Sequence, residues 1–124
     1  MMTWTSEELD TADTVDEMQI SSVRQDATLS SPRTIWVVRD GQDLYVRSVN
    51  GPDAAWFRGT RTRREGWVLI GDLEKEIAFV DADKSVNDQL DAAYRNKYRS
   101  YAKSIVDSIN SPRARSATIK LVPR

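Results

Sequence analysis

The chain has 124 residues, enough for one domain with a single core and no staples. Lys and Arg number 18 against 19 Asp and Glu, a formal net charge of -1, which argues against a nucleic-acid binder because that affinity comes from clustered cations on phosphates. With no histidine and no cysteine, disulfides, Cys/His zinc sites, Ser-His-Asp triads, Cys-His dyads and thiol redox centres are all excluded.

Proton transfer near neutral pH would therefore fall to a perturbed Asp, Glu, Lys or Tyr, and an enzyme with this inventory would borrow its chemistry from a cofactor. Met1 to Asp16 is acidic and polar, unlike a signal peptide, and no apolar run approaches a membrane span. The expectation is a cytoplasmic protein with no membrane or nucleic-acid partner.

Thr5-Ser6-Glu7-Glu8 reads as a capping box that starts a short helix ending near Thr14. Glu17 to Gln25 alternates, with Met18 and Ile20 on one face, and predicts a strand. Arg33 to Arg39 is β-branched and apolar on both faces, and predicts one central strand. Asp40-Gly41 supplies a hairpin turn, and Asp43 to Asn50 the return strand, with Leu44, Val46 and Ser48 opposite Tyr45, Arg47 and Val49. Asp53 is placed to cap a short helix from Ala54 to about Arg63.

Trp67 to Ile70 and Glu76 to Val80 read as strands around a Gly71-Asp72 turn or bulge. Ser85 to Ile109 reads as one long helix, because Val86, Leu90, Tyr94, Tyr98, Tyr101, Ile105 and Ile109 recur at threes and fours. Its polar side carries Asp88, Asp91, Arg95 and Lys103, with Asp91 and Arg95 spaced for an ion pair. Asn110 suits a left-handed cap and Pro112 forbids continuation. Ala117 to Val122 closes the chain as a strand. The whole chain, residues 1–124, is expected to be one α+β domain. Its architecture would be a small antiparallel six-stranded split β-barrel with one long covering helix and two short helices.

The run Ser31-Pro32-Arg33-Thr34-Ile35-Trp36-Val37-Val38-Arg39-Asp40-Gly41-Gln42-Asp43-Leu44-Tyr45-Val46-Arg47-Ser48 resembles the core of the bacterial domain-of-unknown-function family twenty-two fifty-five. Asp91 to Tyr98 and the ending Ala117 to Pro123 are similar to that family too. The family resembles a branch of the FMN-binding split-barrel superfamily, and is similar to the deazaflavin-dependent nitroreductases. Pro32-Arg33-Thr34, Asp40-Gly41, Ser48-Val49-Asn50-Gly51 and Trp56 ahead of Arg58 match their pieces, whereas Arg58-Gly59 stands where those enzymes usually carry an Asn. The resemblance implies a homodimer with a flavin-type cofactor near the interface. It implies cofactor contacts at Arg33, Thr34, Ser48, Trp56 and Arg58, and FMN or a deazaflavin coenzyme as the ligand, with the loss of any cofactor left open.

Each residue has an ordinary alternative. Arg33 with Thr34 could fork onto a phosphate or simply end a strand. Arg58, Arg61, Arg63 and Arg64 could hold a polyanionic tail or form a solvated basic face. Trp56, which follows a turn, is the better candidate for stacking a ring, and Trp36 and Trp67 for packing. Tyr94, Tyr98 and Tyr101 fit a helix face on the sheet, and Lys97 a surface lysine. No metal site is expected. Two readings follow. One is a flavin- or deazaflavin-binding oxidoreductase. The other is a non-catalytic dimeric barrel for a small ligand or partner, which the Arg58-Gly59 departure favours.

Overall fold

The computed structural model describes residues 3–124. The elements in chain order are α1 (Ser6–Thr14), β1 (Met18–Ser22), β2 (Arg33–Ile35), β3 (Val38–Asp40), β4 (Asp43–Arg47) and α2 (Ala55–Arg63). Then come β5 (Glu65–Ile70), β6 (Leu73–Asp81), α3 (Asn87–Lys97), α4 (Lys103–Ile109), α5 (Pro112–Arg115) and β7 (Thr118–Pro123). Among the described residues, no helix is long and apolar enough to cross a membrane.

The strands form one antiparallel sheet in the order β2-β1-β5-β6-β7-β4-β3. There are seven strands, not six, because the expected strand Arg33–Arg39 is two. β2 pairs with β1, and β3 pairs with β4. These two strands occupy opposite ends of the sheet order, yet only Trp36 and Val37 separate them in the chain. A flat sheet would hold its outer strands roughly 29 Å apart at ~4.8 Å per step. Three peptide steps from Ile35 to Val38 reach at most ~11 Å. The sheet must therefore curl until its two edges approach each other at Trp36-Val37, which gives a curled antiparallel half-barrel whose edges the chain itself bridges.

Side-chain alternation then fills two cores. Leu44 and Val46 of β4 point into the barrel with Met18, Ile20, Val68, Ile70, Ile77, Phe79, Ile119 and Leu121. Tyr45 points outward to a second cluster with Val38, Leu90, Tyr94, Tyr98, Val106 and Ile109, under α3 and α4. The strand with a core on both sides is thus β4. Gly66 of β5 is required by close approach, since a methyl group there would strike the Ser21 carbonyl and the Phe79 ring. Gly71 adopts φ +61° in the two-residue turn that pairs Ile70 with Leu73. The α1 capping box forms as expected, with Glu8 N–H on Thr5 Oγ1 at 3.2 Å and Thr5 N–H on Glu8 Oε1 at 2.9 Å.

The long helix is broken. A 3₁₀ turn at Lys84–Val86 precedes α3, and the chain leaves helical geometry at Tyr98, re-entering after Ala102 (φ -56°, ψ 139°). Tyr98 explains the break. Its ring stacks on Trp36 at 3.8 Å and 3°, and its hydroxyl accepts from Val37 N–H (3.1 Å) and donates to the Asp16 carbonyl (2.7 Å). That anchorage fixes the chain where the sheet edges approach and resets the helical phase, so α4 buries Val106 and leaves Ile105 exposed. Asp91 pairs with Arg47, not with Arg95 as its spacing suggested. Asp53 ends a 3₁₀ turn, and α2 begins after Ala54 with no side-chain cap. Asn110 stays at negative φ, and Pro112 opens α5.

Candidate functional site

The edge crossing places β2 and Trp36 beside the segment that leaves β4. Together with Trp56 of α2 and with Ile105, Ser108 and Ile109 of α4, they enclose a cavity of about 300 Å³. Glu17, Arg47, Val49 and Asn50 complete its lining. A second, more polar recess of about 630 Å³ adjoins it, shares Arg33 and Trp56, and adds Ser22, Arg24, Ser30 and Thr62. Arg33 and Trp56 therefore stand on the wall common to both spaces.

Arg33 makes no ion pair or side-chain hydrogen bond among the described residues, so its guanidinium is open to a ligand. Its position is fixed by backbone pairing with Ile20. Thr34 Oγ1 accepts from Gln19 Nε2 at 2.7 Å, which leaves the Thr34 proton available. Trp56 is half-buried, with Phe57 against its edge at 6.2 Å and 84°. Trp36, expected to serve only packing, also lines the cavity while its ring rests on Tyr98.

Two of the residues implied by the resemblance stand elsewhere. Ser48 is 1% exposed and lines neither space, and its Oγ has no hydrogen-bond partner among the described residues. Arg58 is solvent-exposed and lines neither space, and its amide is bonded to the Ala54 carbonyl at 3.0 Å.

Arg47 was not singled out from the sequence and anchors one side of the cavity. Its side chain has no exposed surface. Nη1 donates to Asp91 Oδ1 (2.7 Å) and Asn110 Oδ1 (2.9 Å), Nη2 to the Asn87 carbonyl (3.2 Å) and Oδ1 (3.0 Å), and Nε to Thr118 Oγ1 (3.1 Å). Its guanidinium also lies 5.4 Å from the Tyr94 ring centre. With every donor taken, Arg47 does not recognise a ligand; it ties α3, α4 and β7 to β4. Burial pushes the Tyr94 phenol above its usual range, and its hydroxyl has no hydrogen-bond partner among the described residues. The one signal for Arg47 was its place on the same strand face as Tyr45.

Lys97 is no surface lysine. Its Nζ donates to the Ala12 carbonyl (2.8 Å) and the Val37 carbonyl (2.6 Å), and burial brings its pKa down to about 8 against the opposing pull of Asp13 and Asp16. Among the described residues, no group of three or more acidic side chains is placed to hold a metal ion.

Residues 8–121 match the family described as "Uncharacterized protein conserved in bacteria (DUF2255)". No curated protein matches the sequence. Among solved structures, a candidate pyridoxamine 5′-phosphate oxidase from Listeria innocua aligns with TM-score 0.65 and 21% identity, over 95% of this chain and 91% of its own. The heme storage protein HutZ from Vibrio cholerae aligns with TM-score 0.66 and 10% identity, over 99% and 90%. An F420 reductase aligns with TM-score 0.55 and 14% identity, over 93% and 90%. At these identities the likeness is one of fold: a split barrel.

Proposed function

Because the chain belongs to the bacterial DUF2255 family and folds as a split barrel, we propose that it binds a phosphorylated, planar cofactor of the flavin or deazaflavin type between Arg33 and Trp56. The observation that carries this reading is an unpaired guanidinium on a rigid strand, facing the same space as two indole rings. A planar guanidinium suits bidentate contact with a phosphate, and Thr34 can add a hydroxyl donor. Trp36 and Trp56 offer apolar faces for a ring system. The first space alone lies at the small end of ligand cavities, and the adjoining recess supplies the remaining room. The residues therefore fit such a group.

A bound flavin or deazaflavin would supply hydride transfer, which no side chain of this protein can perform. The protein's part is to bind, orient and shield. Arg33 and Thr34 anchor the anion, the indoles set the ring plane, and Ile105 and Ile109 exclude water. The F420 reductase and the oxidase among the structural neighbours support an oxidoreductase. The heme storage neighbour, and Arg58 lying outside the cavity, support the second reading, a binding protein without turnover.

The test is titration with FMN, with the deazaflavin coenzyme and with a plain phosphate ester, followed by tryptophan fluorescence and calorimetry. One phosphorylated ring ligand should bind, and Arg33→Ala should weaken it by roughly ten- to a hundredfold, the value of a charge-assisted contact. Equal binding by the variant removes Arg33 from the site. If none of the three binds, the cofactor reading fails.

A further inference from the structure

On another side of the barrel, a third space, a cleft of about 670 Å³, opens between α2, the 3₁₀ turn Lys84–Val86, the start of α3, and α5. Its polar lining offers donors and almost no free acceptor. Asp81 is the lining's one carboxylate, and two arginines already share it: Arg61 at 2.9 and 3.2 Å, and Arg64 at 3.0 Å. Those contacts, the Arg61 bond foremost, hold the Asp81 carboxyl below its ordinary range despite some burial, so it stays ionised and occupied. Arg61 is further steadied by the Phe57 ring, 5.4 Å away. Lys84 has no carboxylate partner among the described residues.

The orientation of Asn87 is the decisive detail. Its Oδ1 accepts from Arg47 Nη2 at 3.0 Å, on the buried side. The carboxamide cannot be flipped without setting its NH₂ against that guanidinium, so Nδ2 is turned away from Arg47. Asn87 lines the cleft, and Nδ2 makes no hydrogen bond among the described residues. Arg115, on the facing wall, is held by Asp88, whose Oδ1 accepts from its Nη2 at 2.8 Å; its buried Nε, 3.5 Å from Asp91 Oδ2, makes no hydrogen bond among the described residues. An unsatisfied amide and an unpaired ammonium thus edge a single concavity, with the Arg115 guanidinium, already paired to Asp88, on its far wall.

We propose that this cleft binds a small phosphate-bearing molecule, held by Lys84 and Asn87 Nδ2, between the walls formed by Arg61 and Arg115. The oxygens of a phosphate monoester or pyrophosphate supply the acceptors that these groups lack. The site is separate from the Arg33–Trp56 cavity and does not depend on what that cavity holds. Arg47 touches both, through its place in the first lining and its bonds to Asn87 and Thr118 of the second.

The experiment uses the full chain and inorganic pyrophosphate as probe, with binding read by calorimetry and by NMR shifts of the Asn87 side-chain amide and of backbone amides 84–88 and 115–118. Saturable shifts in those groups are expected. Lys84→Ala should weaken binding by roughly three- to tenfold, in keeping with a partly exposed charge contact. Asn87→Asp keeps the acceptor for Arg47 but turns an anion toward the cleft, and should abolish binding while circular dichroism remains native. Arg33→Ala should leave these shifts unchanged. The proposal is overturned if the shifts gather only around residues 33–36 and 56, if they fail to saturate, or if Lys84→Ala and Asn87→Asp bind as wild type does.

Discussion

Arg47 shows what a fully enclosed guanidinium demands. Its five N–H donors all meet oxygen acceptors, and its one ionic partner, Asp91, sits 2.7 Å away with 15% of its side chain exposed. Removing the carboxylate strands a buried positive charge, and breaking such a pair from one side typically costs about 3–5 kcal/mol. Asp91→Ala should therefore lower the unfolding free energy by about 3 kcal/mol in a urea titration; a loss under about 1 kcal/mol would mean that the neutral acceptors suffice. At this scale the sequence was partly legible. Arg33, Thr34 and Trp56 came from the same resemblance as Ser48 and Arg58, and they are the three that line the cavity. Arg47 could not be picked out, because strand alternation marks it as one polar residue among several, while its partners lie 40 to 71 positions away. Ser48 and Arg58 were drawn from a motif, and a motif records spacing along the chain, not the direction of a side chain.

Short-range signals placed most elements well. The α1 capping box, the hairpin at Asp40-Gly41 and the turn at Gly71-Asp72 need only neighbours, and all three form. The two failures were Arg33–Arg39 and Ser85–Ile109, unbroken by their own residue patterns and interrupted at the same place by each other. Trp36 and Val37 leave the sheet to meet Tyr98, and Tyr98 leaves the helix to meet them. Lys97, the next residue along α3, binds the seam to the end of α1. Its folded pKa of about 8 lies below the ordinary 10.5 because of burial. Between those values the unfolded chain holds the extra proton, so raising the pH stabilises the fold. Above about pH 10 the trend opposes itself, because burial raises the Tyr94 and Tyr98 phenols and the unfolded chain releases those protons first. The urea midpoint of wild type should therefore gain on that of Lys97→Met between about pH 8 and pH 10. Parallel curves for the two proteins would show that Lys97 does not titrate in this window.

For the molecule as a whole, the cavity mouth presents apolar side chains to solvent. Val49 and Ile105 line it and are 44% and 49% exposed, beside the half-buried indoles of Trp36 and Trp56. Covering that rim with a second copy would bury it and enclose the Arg33–Trp56 space, and a homodimer is the expected state. Light scattering at tens of micromolar should give twice the 14.1 kDa chain mass, and Ile105→Glu should halve it; a monomer mass for wild type would sink the idea. The strand order carries a further consequence, for synthesis. β7 is the last of the seven strands to leave the ribosome, and it is the one that joins β6 to β4. Until residues 118–123 emerge, no strand joins β2-β1-β5-β6 to the β3-β4 hairpin, and β4 and β6 each present an unpaired edge. The nascent chain thus carries two open sheet fragments that a neighbouring nascent chain could mispair with, and the hazard ends when its own final strand arrives.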